Sequence, residues 1–440
     1  MMTDSERSLG YKSIKLSLEG KGNGMKKWLI MLLTFALGLL GLAGCSSGKT
    51  SGDAKNGKVE ITYGFWDKKQ VPAIEEIIKL FNEKNPNIKV KTELTPYAQY
   101  FQKLETAATG GALPDVLWMN GPHVVQYAEG KVILPLSDMA KKDNYSLDNY
   151  PKSLIDLYTV DGNLYGIPKD FDTTGLWYNK KIFDEAGVPY PDDTWDWNKL
   201  KEVATKLTNK DKGIWGYAAL MGNQGGYYDL IWQNGGHIIS DDGKSVGFDQ
   251  PEAIEALKYN ISFIKEGLSP TQAQMTETAA SELFSSGKIA MMFDGPWMVP
   301  EYKKNPDLNV AVVPKGKQRA VAIHGLSNVI AANTKHKDAA WKFVQFLGSK
   351  EAAEVFAKTG TVIPAYNGTQ DAWLKSVPNL NLQAFIDGVD YSVPLPSVKN
   401  TGEIWQYETD ILKKAWSEEE SVEDAVKELT KKANEALAKN

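Results

Sequence analysis

Two aspartates one residue apart, Asp170 and Asp172, stand in the stretch Tyr165–Val188 (YGIPKDFDTTGLWYNKKIFDEAGV), just ahead of the apolar run Gly175 to Tyr178. Carboxylates so placed must be solvated at a cleft mouth or hydrogen-bonded, because burying them unpaired is costly. A surface turn before an ordinary strand is the plainer reading. Asp67 and Asp294 each lie close to a tryptophan, Trp66 and Trp297. Hydrolysis of a glycosidic bond needs two carboxylates about 5 to 10 Å apart, and spacing in sequence leaves open whether two of these four form such a pair.

A second chemistry fits the same residues. Aromatic side chains recur beside small polar ones at separate strand ends and turns: Trp66-Asp67, Trp118-Met119-Asn120, Tyr227-Tyr228 with Trp232, Asp294 with Trp297, and Trp405 with Tyr407. Sugar rings present C–H faces that stack on aromatic planes, and hydroxyl rims that carboxylates and amides can bond. Core packing accounts equally well for any single tryptophan; the recurrence beside Asp or Asn favours recognition.

Other chemistries lack their residues. The chain has no HExxH, no GxSxG and no phosphate-cradling glycine loop, and its four histidines, His123, His237, His324 and His336, have no metal-ligand spacing. No metal or cofactor is expected. A net charge of -5 with no concentrated basic face argues against a nucleic-acid partner. Arginine occurs only at positions 7 and 319, which leaves almost no bidentate clamp for an anionic ligand.

The elements that must position these residues follow from periodicity. At 440 residues the chain fits two lobes. Strands are expected at Val59 to Trp66, Ile88 to Leu94 and Pro114 to Met119, with helices at Pro72 to Glu83 and Tyr97 to about Ala108 between them. That alternation predicts a parallel sheet with helices on its faces, and ligands of such sheets sit at the carboxyl ends of strands. Further strands are expected at Val132 to Leu136, Gly175 to Tyr178, Gly213 to Met221, Lys288 to Phe293, Val310 to Val313 and Ala320 to His324. Helices are expected at Ile182 to Ala186, Asn198 to Leu207, Tyr227 to Gln233 and Pro251 to Lys265, another is capped by Asp338, and an amphipathic one ends the chain.

The lone cysteine, Cys45, excludes a disulfide framework within the chain. It closes a segment that begins Met25-Lys26-Lys27, runs apolar from Trp28 to Leu42 and ends in small residues. This is the order of a secretory signal peptide, too short for the about 20 residues of a membrane span. Met25 is the expected start of translation. The Ser-, Gly- and Lys-rich stretch from Ser46 to Lys58 predicts a flexible tether.

The motifs PDVLWM, YGIPKD followed by TTGLWYNK, Gly-Gly after an aromatic helix, AMMFDGPW, a Gly-Leu-Ser turn, DAAWKFVQFL and TGTVIPA occur here in one order. In that order they resemble the sugar-binding group of extracellular solute-binding proteins of bacterial ABC importers. Leu42-Ala43-Gly44-Cys45 resembles the lipobox at which such lipoproteins are cleaved and diacylated. The resemblance implies a two-lobed α/β fold of the periplasmic-binding-protein kind, type II-like, with the ligand cleft between lobes joined by a hinge of two or three crossings. It implies lobe one at 58–134 with 296–345 and lobe two at 135–295 with 346–440, after a 1–44 leader and a 45–57 tether. It also implies a monomer, lipid-anchored (palmitate) through Cys45 on the extracytoplasmic face of the cell membrane. Such a protein delivers a sugar to ABC permease subunits without catalysis; a secreted glycoside hydrolase is the alternative.

Carried over by position, Trp66 and Asp67 resemble first-loop contacts, Asn120 the contact after the third strand, and Asp172 (or Asp170) the acidic hydroxyl acceptor. Tyr227, Trp232 and Trp297 resemble stacking residues with Asp294 beside them. His324 and Gly325 resemble a turn facing the sugar, and Trp405 a C-terminal stacking residue. Asp115 is expected to orient a loop.

Overall fold

The computed structural model describes residues 57–439; the expected signal peptide, Cys45 and nearly all of the tether lie outside the described residues. Among the described residues no helix is long and apolar enough to cross a membrane. Among them twelve strands are formed: β1 Val59–Phe65, β2 Ile88–Leu94, β3 Val116–Asn120, β4 Thr159–Val160, β5 Asn163–Leu164, β6 Gly166–Asp172, β7 Gly175–Asn179, β8 Met291–Asp294, β9 Leu308–Ala311, β10 Val321–Ile330, β11 Ile363–Pro364 and β12 Ser392–Pro394.

Strict alternation in β1 buries Ile61, Tyr63 and Phe65. The helix Val71–Lys84 carries Pro72 in its first turn, where a missing N–H costs nothing, and buries Ile74, Ile77, Ile78 and Phe81. It connects β1 to β2, which pair in parallel from Val59↔Ile88 to Phe65↔Leu94. β3 joins the other side of β1, also parallel, so the carboxyl ends of all three strands share one edge. The large sheet runs β11-β6-β10-β3-β1-β2, with β10 antiparallel to both β3 and β6. A small antiparallel sheet has the order β8-β7-β9.

Two hydrophobic cores result. The first gathers Ile61, Phe81, Trp118, Ile167, Phe343, Phe356 and Trp373 around the large sheet. The second gathers Leu176, Phe183, Leu200, Tyr228, Leu257, Phe293, Trp416 and Leu429. The small sheet packs against both, giving Trp177, Met292 and Val310 to the first and Leu176, Met291 and Ala311 to the second. Among the segments that link the two cores, three run beside the large sheet. Asp172 and Gly175 are joined through buried Thr173 and Thr174, and the Thr173 hydroxyl donates to the Phe385 carbonyl at 2.6 Å. β10 begins in the second core with Val321 and Ala322, paired with β12, and continues into the first with Leu326, Val329 and Ile330. The third passage leads from Phe385 to Leu395.

Two segments expected in lobe two also contribute to the first core. Segment 135–172 supplies Leu154, Tyr158 and Phe171 to the first core because β6 lies between β10 and β11 of the large sheet. Segment 346–385 supplies Val355, Phe356, Trp373 and Phe385 to it, the helix Lys350–Thr359 packing on Val71–Lys84.

Other expectations also change. The residues of β6 read in sequence only as an approach punctuated by Gly166 and Pro168, yet they form a fully buried strand. Pro168 is tolerated there because the register slips: Leu326 faces Asp170, Ser327 faces Pro168, and Lys169 is the extra residue. The expected turn at His324, Gly325, Leu326 and Ser327 is continuous strand within β10. Val132 to Leu136 makes one bridge, Ile133↔Ala331, and Gly213 to Met221 only the isolated bridges Asn209↔Ile214, Trp215↔Ile289 and Ala218↔Met292. Asp338 lies in the first turn of its helix rather than capping it. Asp115 does orient a loop: its carboxylate accepts from the Thr62 amide at 2.8 Å and from the Thr334 hydroxyl.

In the second core Glu408 is fully buried and accepts from the hydroxyls of Tyr227 and, at 2.7 Å, Tyr228. Burial pushes its carboxyl up to about 7. A carboxyl raised in the folded state favours folding at low pH and loses that contribution as pH rises from about 4.5 through 7, here on the order of 3 kcal/mol. Glu408→Gln should therefore melt with a flatter dependence between about pH 5 and pH 8 than the wild type. Parallel melting curves would contradict this.

Candidate binding site

A cavity of about 390 Å³ opens where the carboxyl edge of the large sheet meets the segments that cross to the second core. The first wall begins where β1 ends. Asp67 starts a single helical turn, accepting from the Lys69 amide at 2.9 Å and from the Gln70 side-chain amide at 3.2 Å. The Lys69 ammonium is 3.1 Å from the same carboxylate. Trp66 is wedged against Trp118, centroids 5.0 Å apart and nearly perpendicular, and against Tyr97, which is 49% exposed at the rim. Edge-to-face packing of this kind fixes a ring's plane while leaving part of it free.

The floor is the last turn of β6 against β10. Asp170 accepts from the Leu326 amide at 3.2 Å and contacts the Lys169 ammonium. Asp172 accepts from the Gln224 side chain, and His324 Nδ1 lies 3.5 Å from its second oxygen. Gln224 is brought there by the stretch Asn223–Tyr227, in which Gly225 has φ of 70° and closes the turn ahead of the helix Tyr228–Gln233.

Opposite stand Pro296 and Trp297, just past β8. The Trp297 ring folds back over Gly295 and occupies the space a Cβ would need there, so only glycine fits. Trp405, on the helix Thr401–Trp416, contacts His123 edge-on at 5.1 Å, and His123 stacks on Phe101 at 3.6 Å. Burial pushes the imidazole of His123 down to about 3, so it is neutral. Val362 and Leu395 complete the apolar lining.

Of the residues singled out from sequence, the cavity is lined by Trp66, Asp67, Asp172, Trp297, His324 and Trp405, with Asp170 beside Asp172. The rest lie elsewhere. Asn120 is fully buried and caps the helix Gly121–Glu129, accepting from the His123 amide. Tyr227 and Trp232 belong to the second core. Asp294 turns to the Gly295 amide at 2.8 Å and the Tyr302 hydroxyl at 3.0 Å, and burial raises its carboxyl to about 6. Gly325 backs onto Asp170 and Tyr158. Sequence reasoning missed Lys69, Gln70, Tyr97, Phe171, Asn223, Gln224, Pro296 and Leu326. The glycine pair after Gln224 and the proline before Tyr97 were the available signals.

All three cavity carboxylates are engaged by neighbouring side chains, and among the described residues no group of three or more His, Cys, Asp or Glu could hold a metal. Half-buried ring faces with fixed acceptors and amides between them can grip a flat-faced, hydroxyl-rich molecule.

Comparison with known proteins agrees with this geometry. The chain is 28% identical to the galactooligosaccharide-binding protein of Bacillus subtilis over 394 residues, 86% of this chain and 90% of that one. It is 26% identical to a maltooligosaccharide ABC transporter solute-binding lipoprotein of Streptococcus pneumoniae over 388 residues, covering 85% and 89% of the two chains. An ABC substrate-binding protein of Listeria monocytogenes in complex with cycloalternan superposes with a TM-score of 0.84 at 29% identity, covering 87% of this chain and 99% of that one. Residues 67–354 match the bacterial extracellular solute-binding protein family. These are binding proteins of importers and not enzymes, which removes the hydrolase alternative. The chain, with its two-lobed α/β fold, belongs to the family of bacterial extracellular solute-binding proteins.

Proposed function

We propose that the protein captures a neutral oligosaccharide in this cavity and presents it to the permease of an ABC importer. The observation that carries the reading is the arrangement of four partly exposed rings, Trp66, Tyr97, Trp297 and Trp405, interleaved with Asp67, Asp172, Asn223, Gln224 and His324. Rings take the C–H faces of pyranoses or furanoses; the acceptors and amides take their hydroxyls. Lys69 is the one cation among the lining residues, and Asp67 neutralises it, so an anionic sugar finds little to bind.

Two lobes close on the ligand about the segments that join them. The closed form is stabilised by the hydrogen bonds and ring stacking that the second lobe adds around the sugar. The protein works as a monomer on the extracytoplasmic face, with its signal peptide removed and Cys45 diacylated. The relatives' names and the sequence up to Cys45 support that placement. Cys45→Ser should move the protein from the membrane fraction to the medium or periplasm, as fractionation would read.

A thermal-shift panel of maltotriose, galactotriose, arabinotriose and their monosaccharides tests the reading. A saturable rise in melting temperature with an oligosaccharide returned intact supports it; no shift with any sugar overturns it. Asp172→Ala and Trp297→Ala should each weaken binding by about 1 to 4 kcal/mol without unfolding the protein. Asn120→Ala should instead cost about 0.5 to 2 kcal/mol of stability through the lost cap and leave affinity within about twofold. Equal effects of all three on affinity would show that the cavity is misassigned.

A further inference from the structure

Directly beneath the cavity lies a fully buried cation that no ligand can touch. Lys169 is the bulged residue of β6, and its side chain is 0% exposed. A bulge re-aims a side chain that regular pairing would have sent to the other face. Here it threads the ammonium between the rings of Trp118 and Phe356, 4.4 Å from each centroid. There it donates to the Gln70 side-chain carbonyl at 2.8 Å and to the Asp170 carboxylate. Gln70 in turn donates to Asp67. One buried cation thereby ties together the end of β1 and the end of β6, the two elements that supply the floor and first wall.

We propose that Lys169 is a positioning residue for ligand binding: acting through Gln70 and Asp170, it sets the orientation of the acceptors that the sugar meets. The inference rests on the proposed function for its ligand and on the geometry alone for its mechanism. A buried ion pair is weak support for stability, since apolar replacements of both partners often fold as well or better. Removing only the cation is different. It leaves the buried Asp170 carboxylate with the Leu326 amide as its remaining side-chain or backbone donor, and it frees the Gln70 amide to turn. The other groups facing the pair are the Asp67 and Asp172 carboxylates, His324, and the phenols of Tyr63 and Tyr158. Deprived of Lys169, Asp170 takes up a proton at higher pH than an exposed aspartate, because burial disfavours its charge.

The test uses Lys169→Met, Asp170→Asn and the double variant, titrated by tryptophan fluorescence with an equimolar mixture of maltotriose, galactotriose and arabinotriose. Lys169→Met should weaken binding about tenfold or more at pH 8, with part of the loss recovered near pH 5 as Asp170 is protonated. The double variant, with no charge to titrate, should show no such recovery. Without ligand, the melting temperature of Lys169→Met relative to wild type should fall between about pH 5 and 8, and that of the double variant should not. Lower melting temperature with wild-type affinity at both pH values would make Lys169 merely structural and overturn the proposal. So would an affinity loss that is the same at both pH values. If Lys169→Met does not fold, the double variant decides: failure of that variant to fold would also assign Lys169 to the core. Wild-type protein that binds none of the three sugars contradicts the proposed function instead, and the ligand-free melts still read the role of Lys169.

Discussion

Everything at the site depends on how one strand is shared. β10 runs unbroken for ten residues and is bonded at its start to β12 and from His324 onward to β6 and β3. A strand's backbone groups must be paired along its whole length once it is buried, so both cores have to agree on its register. The Ala322 amide, inside the stretch paired with β12, is taken by the Asp229 carboxylate at 2.7 Å. His324 and Leu326 reach the cavity because of where this strand leaves one core and enters the other, and Asp170 and Asp172 reach it because β6 is held to the same strand.

The polar atoms around the cavity are fixed before any ligand arrives. Asp67 is held by its own helical turn, Asp170 by Leu326 and Lys169, Asp172 by Gln224. A site built this way loses little side-chain freedom on binding, so each interaction counts more fully toward affinity. The aromatic rings are held by other rings of the protein: Trp66 by Trp118, Trp405 by His123, and His123 by Phe101.

Strong periodicity and local neighbours make β1, β2 and the helices Val71–Lys84 and Pro251–Lys265 legible in the sequence. β6 is hidden: Pro168, Lys169, Asp170 and Asp172 look like a loop, and only the bulge and the distant partners Leu326 and Gln70 make a strand of them. Of the residues marked by adjacency of aromatic and polar side chains, Trp66, Asp67, Trp297 and Trp405 line the cavity. It fails for Tyr227, whose hydroxyl is claimed by Glu408, 181 positions away, and for Asn120, which serves its own helix. A side chain that is a sugar contact in one setting is a core or capping group in another, and the deciding partner is not nearby in the chain.

The central claim is that ligand bridges two lobes that move about the crossing segments. The most direct measurement is the distance between spin labels at Glu83 and Lys265, on helices packed against the first and second cores, with and without saturating oligosaccharide. A distribution that narrows and moves to a shorter or distinctly different distance on binding agrees with the account. Binding with an unchanged distribution would contradict it, leaving a rigid receptor in place of one that closes.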